Sequence, residues 1–212
     1  MTSLYELTDS WEKPARIRFV DNFSGNALDT NRWTLNQIGG SICTATIDDS
    51  INGGLKMYVN DTAPISASAS LTFGDVCQFE PLGSVFIGNM IKPSSNNDNI
   101  AIKYGLASDS TVTPPECVLM CEGNLHSYIG IETNNESRTD STVAKSTDWF
   151  GFKLELNGGS NVEASINGVI AITKTSSIPT TSKLQPFLYL QSRGAAQQAR
   201  QWNTTYCEAW NT

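Results

Sequence analysis

The sequence carries a single histidine, His126, and charged side chains make up only 17% of it, below the usual ~25% of a soluble domain. One imidazole leaves little room for histidine-based metal sites or a repertoire of triads. Positive charge is scarcer still, with 14 Lys+Arg against 21 Asp+Glu and a formal net charge of −7. A nucleic-acid binder needs a basic stripe, so that class is excluded as a partner. No run approaches the roughly 18 uninterrupted apolar residues of a membrane helix, so no membrane partner is expected. The opening MTSLYELTDSWEKPAR lacks a basic region followed by an apolar one, and no secretory signal is read there. The five cysteines (Cys43, Cys77, Cys117, Cys121, Cys207) form no Cys-x-x-Cys pair, and their odd number leaves one without an intramolecular partner. They are expected to be buried free thiols in a protein folded in a reducing cytosol.

What is present is strand pattern. With 39% hydrophobic residues the chain is too apolar for disorder. A globule of this size buries roughly 70% of its unfolded surface, enough for one large core. Period-two alternation runs through Ile17 and Phe19, through Leu55, Met57 and Val59, and through Ile100, Ile102 and Tyr104. It is cleanest at Phe150, Phe152, Leu154 and Leu156 against Gly151, Lys153, Glu155 and Asn157. Each set predicts an antiparallel strand with one face inward and one toward water. Asn167-Gly168 between NVEASI and VIAITK predicts a type I′ hairpin, because both residues tolerate positive φ. About a dozen short strands at this spacing fit a sandwich or jelly roll. The segment GAAQQARQ (194–201) has good helix formers but no apolar stripe, and is expected to be a loop or single turn. The expected organisation is all-β: one antiparallel β-sandwich jelly roll over residues 16–212, preceded by an N-terminal arm over 1–15.

Two segments carry a family resemblance. FVDNFSGNALDTNRW, with Phe23, Gly25, Leu28, Asp29 and Trp33, resembles the opening strand and turn of concanavalin-A-like lectin/glucanase jelly rolls. Residues 148–191, DWFGFKLEL through LQPFLYLQS, are similar to the late strands of that superfamily, and WNTTYCEAW would be the closing strand beside the first. The resemblance implies the fold; the fold hosts enzymes, lectins and structural modules alike.

The resemblance also sets tests for activity. The laminarinase and lichenase branch aims Glu-x-Asp-x-(x)-Glu from one strand face, with carboxyls about 5–5.5 Å apart for retention. That run is missing; the candidate remnants are Glu116 and Glu122 around CVLMC, and Glu132 and Glu136. A jelly-roll lyase would need a His/Tyr/Arg cluster, for which His126, Tyr128 and Arg138 are the candidates. Neither pattern is complete, and the chain is expected not to be an enzyme.

Binding has other supports. Lectins of this fold stack sugars on aromatic rings and hydrogen-bond hydroxyls with planar polar side chains. Trp202, with Arg200, Gln198 and Asn203, is the expected glycan site, while Trp33, Trp149 and Trp210 are expected in the core. Tyr5 and Trp11 on the arm would dock onto a neighbour. No cofactor is expected; a structural calcium is left open at Asp48, Asp49 and Asp98, whose oxygens suit it but whose spacing fixes no ligand set. An exterior-type fold without an export signal points to a virion surface protein, as capsid decoration or fibre. Its partners would be the major capsid protein, further copies of itself and a cell-surface glycan. A free lectin domain is the alternative, followed by a glucanase or polysaccharide lyase.

Overall fold

The computed structural model describes residues 17–38, 42–48, 54–60, 67–91, 100–111, 113–123, 126–134, 138–145, 148–193 and 199–211. The expected arm, with Tyr5 and Trp11, lies outside them. Strands are numbered in chain order. One sheet has the spatial order β13 (Val169–Lys174), β12 (Asn161–Ile166), β11 (Phe150–Asn157), β6 (Ser84–Ile91), β15 (Ala199–Asn211), β4 (Gly54–Asn60), β3 (Ile42–Asp48). Its eighth strand, β1 (Arg18–Asp21), also pairs with β15. The other sheet runs β10 (Thr139–Ala144), β9 (Tyr128–Thr133), β8 (Cys117–Gly123), β7 (Ile100–Ala107), β14 (Gln185–Ser192), β5 (Ser68–Thr72), β2 (Thr34–Ile38). Every pairing is antiparallel. The all-β sandwich stands as expected.

Local chemistry accounts for the elements. Asn167 and Gly168 sit at φ 50° and 81° and turn β12 into β13. β11 alternates buried and half-buried along its length, with Phe150, Phe152, Leu154 and Leu156 inward. The closing strand lies beside the first, in register from Arg18 opposite Trp210 to Asp21 opposite Cys207. One expectation fails: Ala199 to Gln201 are strand, not loop, because their backbone pairs with Asn60, Val59 and Tyr58 of β4. Long-range pairing overrides helix propensity there.

Between the sheets, Tyr104 of β7 is fully buried and meets three rings of the facing sheet edge-on. Phe86 lies 5.2 Å, Phe152 5.1 Å and Trp202 5.2 Å away, centroid to centroid. Such contacts contribute roughly 0.5–1.5 kcal/mol each beyond area burial. The phenol donates to the Tyr206 carbonyl (3.2 Å) and shares a hydrogen bond with Thr204 Oγ1 (3.1 Å). Gly88 of β6 leaves room for this ring: a Cβ there would fall 2.2 Å from Tyr104 Cε1.

Three expectations about side chains are corrected or sharpened here. Trp202 is fully buried against Tyr104, so it offers no face for a sugar. Trp149, expected inside, is 44% exposed because it precedes β11, outside the alternation that buries Phe150. All five thiols are free and four are buried; burial, then Asp75 and Asp109, push the half-buried Cys77 up to about 11.

Replacing Trp202 by alanine should therefore cost about 3–5 kcal/mol of stability, the range for large aromatic cavities. Urea unfolding checks this; a loss under 1 kcal/mol would contradict the packing described.

Candidate functional site

The outer face of the seven-stranded sheet is not simply solvated, as alternation alone predicts. β5 is buried at every position and β14 at nearly every one. Ala107, Cys117, Leu119, Phe187 and Tyr189 form a second apolar cluster on this outer face. The β7–β8 connection folds back toward it: Ser70 Oγ donates to the Ser110 carbonyl (3.1 Å), and Cys77 Sγ to the Ser108 carbonyl (3.1 Å). Ser110 Oγ also reaches Asp75 Oδ2 at 3.2 Å.

Glu116 ends this connection as a clamp. Its Oε2 accepts the backbone N–H groups of Thr180 (3.2 Å), Thr181 (3.1 Å) and Ser182 (3.0 Å), and its Oε1 accepts the Thr181 hydroxyl. Burial works to raise its pKa, but these donors outweigh it and hold the carboxyl below the usual glutamate value. A carboxylate so occupied ties two loops together. Glu122 lies on β8 with its backbone opposite Ile102, and Glu136 is outside the described residues.

Beyond the covered centre, charge collects toward the β9–β10 edge. Lys103 Nζ and Glu132 Oε2 are 2.5 Å apart, across β8. Burial lowers the Lys103 ammonium, and the neighbouring carboxylate more than restores it, leaving it above the usual lysine value. The described side chains of β8 on this face are Cys117, Leu119 and Cys121, all buried, so among the described residues β8 presents no alternating carboxylates here.

At the edge itself, His126, Tyr128 and Arg138 do come together, through a residue the sequence reading missed. Asp140 of β10 receives Arg138 Nε on Oδ1 (2.6 Å) and faces His126 Nδ1 with Oδ2 (3.2 Å). The Arg138 guanidinium also donates to the Tyr128 carbonyl through Nη2. Burial acts to raise the Asp140 pKa, and the hydrogen bonds from Arg138 and His126 outweigh it, so the carboxyl stays below its ordinary value. Gly130 makes the arrangement possible, since a Cβ there would sit 2.5 Å from Arg138 Nε. The Arg138 side chain is 8% exposed, whereas His126 and Asp140 are 41% and 37% exposed. Arg138 thus positions Asp140, and Asp140 positions the imidazole with Nε2 directed away from it. That is the orientation of a base held by a carboxylate. Tyr128, which joins them through its carbonyl, is 44% exposed.

Of the other expected site residues the structure describes only part. Asn203 pairs through its backbone with Lys56 and Ile91, and Arg200 with Val59; Gln198 is outside the described residues. Asp48 ends β3, while Asp49 and Asp98 lie outside the described residues. Among the described residues no group of three or more His, Cys, Asp or Glu could hold a metal.

No protein-family model and no curated protein matches the chain. Solved structures do. An endo-1,3-β-glucanase from Streptomyces sioyaensis superposes with TM-score 0.66 at 12% identity, over 93% of this chain and 97% of its own. The fold is the concanavalin-A-like jelly roll. A β-glucanase of Bacillus licheniformis gives TM-score 0.63 at 12% identity, over 92% of this chain and 98% of its own. A GlcNAcα1-4Gal-releasing endo-β-galactosidase from Clostridium perfringens gives 0.64 at 11%, over 94% of this chain. The chain spans only 64% of the length of that galactosidase. These likenesses correct the expectation that the chain is not an enzyme: the jelly roll it shares is one that glycoside hydrolases use, so the missing Glu-x-Asp-x-x-Glu run does not close off enzymatic chemistry.

The Glu116 clamp yields a pH test. Its folded pKa is lowered, so its contribution is complete above the unfolded value near ~4.3 and is lost as pH falls through the folded one. Glu116→Gln should be the less stable protein at pH 7, and the gap should close on acidification. Urea midpoints between pH 7 and pH 3 measure it; a gap independent of pH would show that the charge is not what holds the loops.

Proposed function

We propose that this protein recognises and acts on glycans, at the β9–β10 edge of the seven-stranded sheet. The observation that carries the reading is the His126 imidazole, held through Nδ1 by an Asp140 that Arg138 fixes in turn, with the exposed Tyr128 bound to Arg138 through its backbone carbonyl. Tyr128 supplies a face for a pyranose ring. Nε2 of His126 supplies the group that accepts or delivers a proton at a sugar oxygen or carbon. The jelly-roll likeness to glucanases and an endo-galactosidase supports carbohydrate as the ligand class. Among the described residues the outward positions of β8 are Cys117, Leu119 and Cys121, and the lack of carboxylates there favours proton transfer by the imidazole over a double-carboxylate mechanism.

A glycan array and a polysaccharide-degradation panel, read by reducing ends and by unsaturated products, test this together. Tyr128→Ala is expected to weaken the bound glycan about tenfold, roughly 1.4 kcal/mol. His126→Ala is expected to abolish product while the unfolding midpoint is kept. A blank array together with no product from the wild type would overturn the reading.

A virion-surface setting, with the major capsid protein and further copies of the chain as partners, is a second reading. The five free thiols favour it, as they suit folding in a reducing cytosol. Stoichiometric presence in purified particles is the expected result, and absence from them would sink it.

A further inference from the structure

At the end of the seven-stranded sheet away from β10, a cleft of about 470 Å³ opens between β1 of the other sheet, the turn at 29–32 and the turn after β5. Its volume is within the ~300–1,000 Å³ of small-molecule sites. Phe19 and Phe73 form the floor, edge to face at 4.8 Å, with Phe73 half-buried. The Arg32 guanidinium lies over the Phe19 ring at 5.4 Å, and Arg18 stands on the adjoining wall. Val76 is 57% exposed at the rim, and the exposed Asn31 and Gln78 supply amides.

The two arginines are only partly spent. Among the described residues the Arg32 guanidinium makes one hydrogen bond, Nη1 to the Val20 carbonyl at 3.4 Å, and the carboxylate that approaches it, Asp21, is 3.9 Å away. Arg18 uses Nε on Glu208 at 2.6 Å, and its side chain is 65% exposed. The surrounding carboxylates also hold donors other than these two guanidinium groups. Asp21 accepts Phe23 N (2.7 Å) and Trp33 Nε1 (2.8 Å), and Glu208 accepts the Tyr206 hydroxyl besides Arg18. Asp29, the acidic residue in the lining, accepts its own turn's Asn31 N at 3.1 Å. In a chain of net charge −7, this cleft presents guanidinium N–H groups of Arg18 and Arg32 that no side chain among the described residues takes up.

The cleft is also pre-shaped. The buried Gln185 accepts the N–H groups of Phe73 (2.9 Å) and Asp75 (3.2 Å) on one oxygen and donates to Asp75 Oδ1 at 3.0 Å. This grip holds Gly74 and Asp75 at φ 64° and 65°, so Phe73 and Val76 are set before any ligand arrives.

We propose that this cleft binds a carboxylate-bearing sugar, a uronic-acid type unit. The carboxylate would meet Arg32 and Arg18, whose planar forks match it. The apolar ring face would lie on Phe73 and Val76, and Asn31 and Gln78 would take the hydroxyls. A bare anion would leave the apolar floor unused, and a neutral sugar would leave the guanidinium donors unanswered. The site shares no residue with the His126 edge and does not depend on the reading given for it.

The experiment is an NMR titration of the full chain with glucuronate, glucose and acetate in parallel. Saturable amide shifts at residues 31–32 and 73–78 are expected with glucuronate, at least tenfold weaker with glucose and with acetate. Arg32→Gln should weaken glucuronate binding at least tenfold. Because Arg32 also packs on Phe19, the exposed Gln78→Ala is the second variant, expected to weaken binding severalfold with the unfolding midpoint unchanged. His126→Ala should leave the titration as in the wild type. Equal affinity for glucose, equal affinity for acetate, or no saturable shift at these residues would each overturn the proposal.

Discussion

The contact on which the sandwich depends is the Tyr104 ring, which one sheet sends into three aromatic side chains of the other. It fixes the distance between the layers and couples β7 to β6, β11 and β15 at one point. Its phenol is satisfied by Thr204 Oγ1 and the Tyr206 carbonyl, beside the irregularity of β15 between Asn203 and Tyr206. There β15 passes from pairing with β4 to pairing with β1 while keeping β6 on its other side. The first strand, and with it the arginine cleft, is therefore placed by the same region that anchors the centre of the core.

Much of this was legible in the sequence because it is local. The alternation of β11, the Asn167-Gly168 turn and the strands flanking it depend on neighbours a few residues apart. The closing strand beside the first was legible through resemblance. The start of β15 was not: Ala199, Arg200 and Gln201 have helix-forming side chains, and only the partner strand β4, far away in sequence, decides their conformation. The covered centre of the outer face escaped for a related reason. Alternation says that Phe187 and Tyr189 point away from the sandwich, but not that the β7–β8 connection folds back toward the strands that carry them.

The site was half legible. His126, Tyr128 and Arg138 could be named by residue type, yet what organises them is Asp140, an unremarkable acid in a polar strand until β10 pairs with β9. Trp202 has a polar neighbourhood in sequence but not in space, because strand alternation turns the indole inward from among Gln, Arg and Asn. Glu116 misled in the opposite sense. Its carboxylate looks available as text and is fully engaged by three amides and a hydroxyl in the fold.

Gly130 shows how a charge can be governed from an uncharged position. The missing side chain is the socket into which Arg138 lies flat, and the guanidinium in that socket steers Asp140 and, through it, His126. Any larger residue there would evict the arginine and leave the imidazole without its orienting chain, although no titratable atom had been changed. The electrostatics of this rim are set by an empty volume one side chain wide.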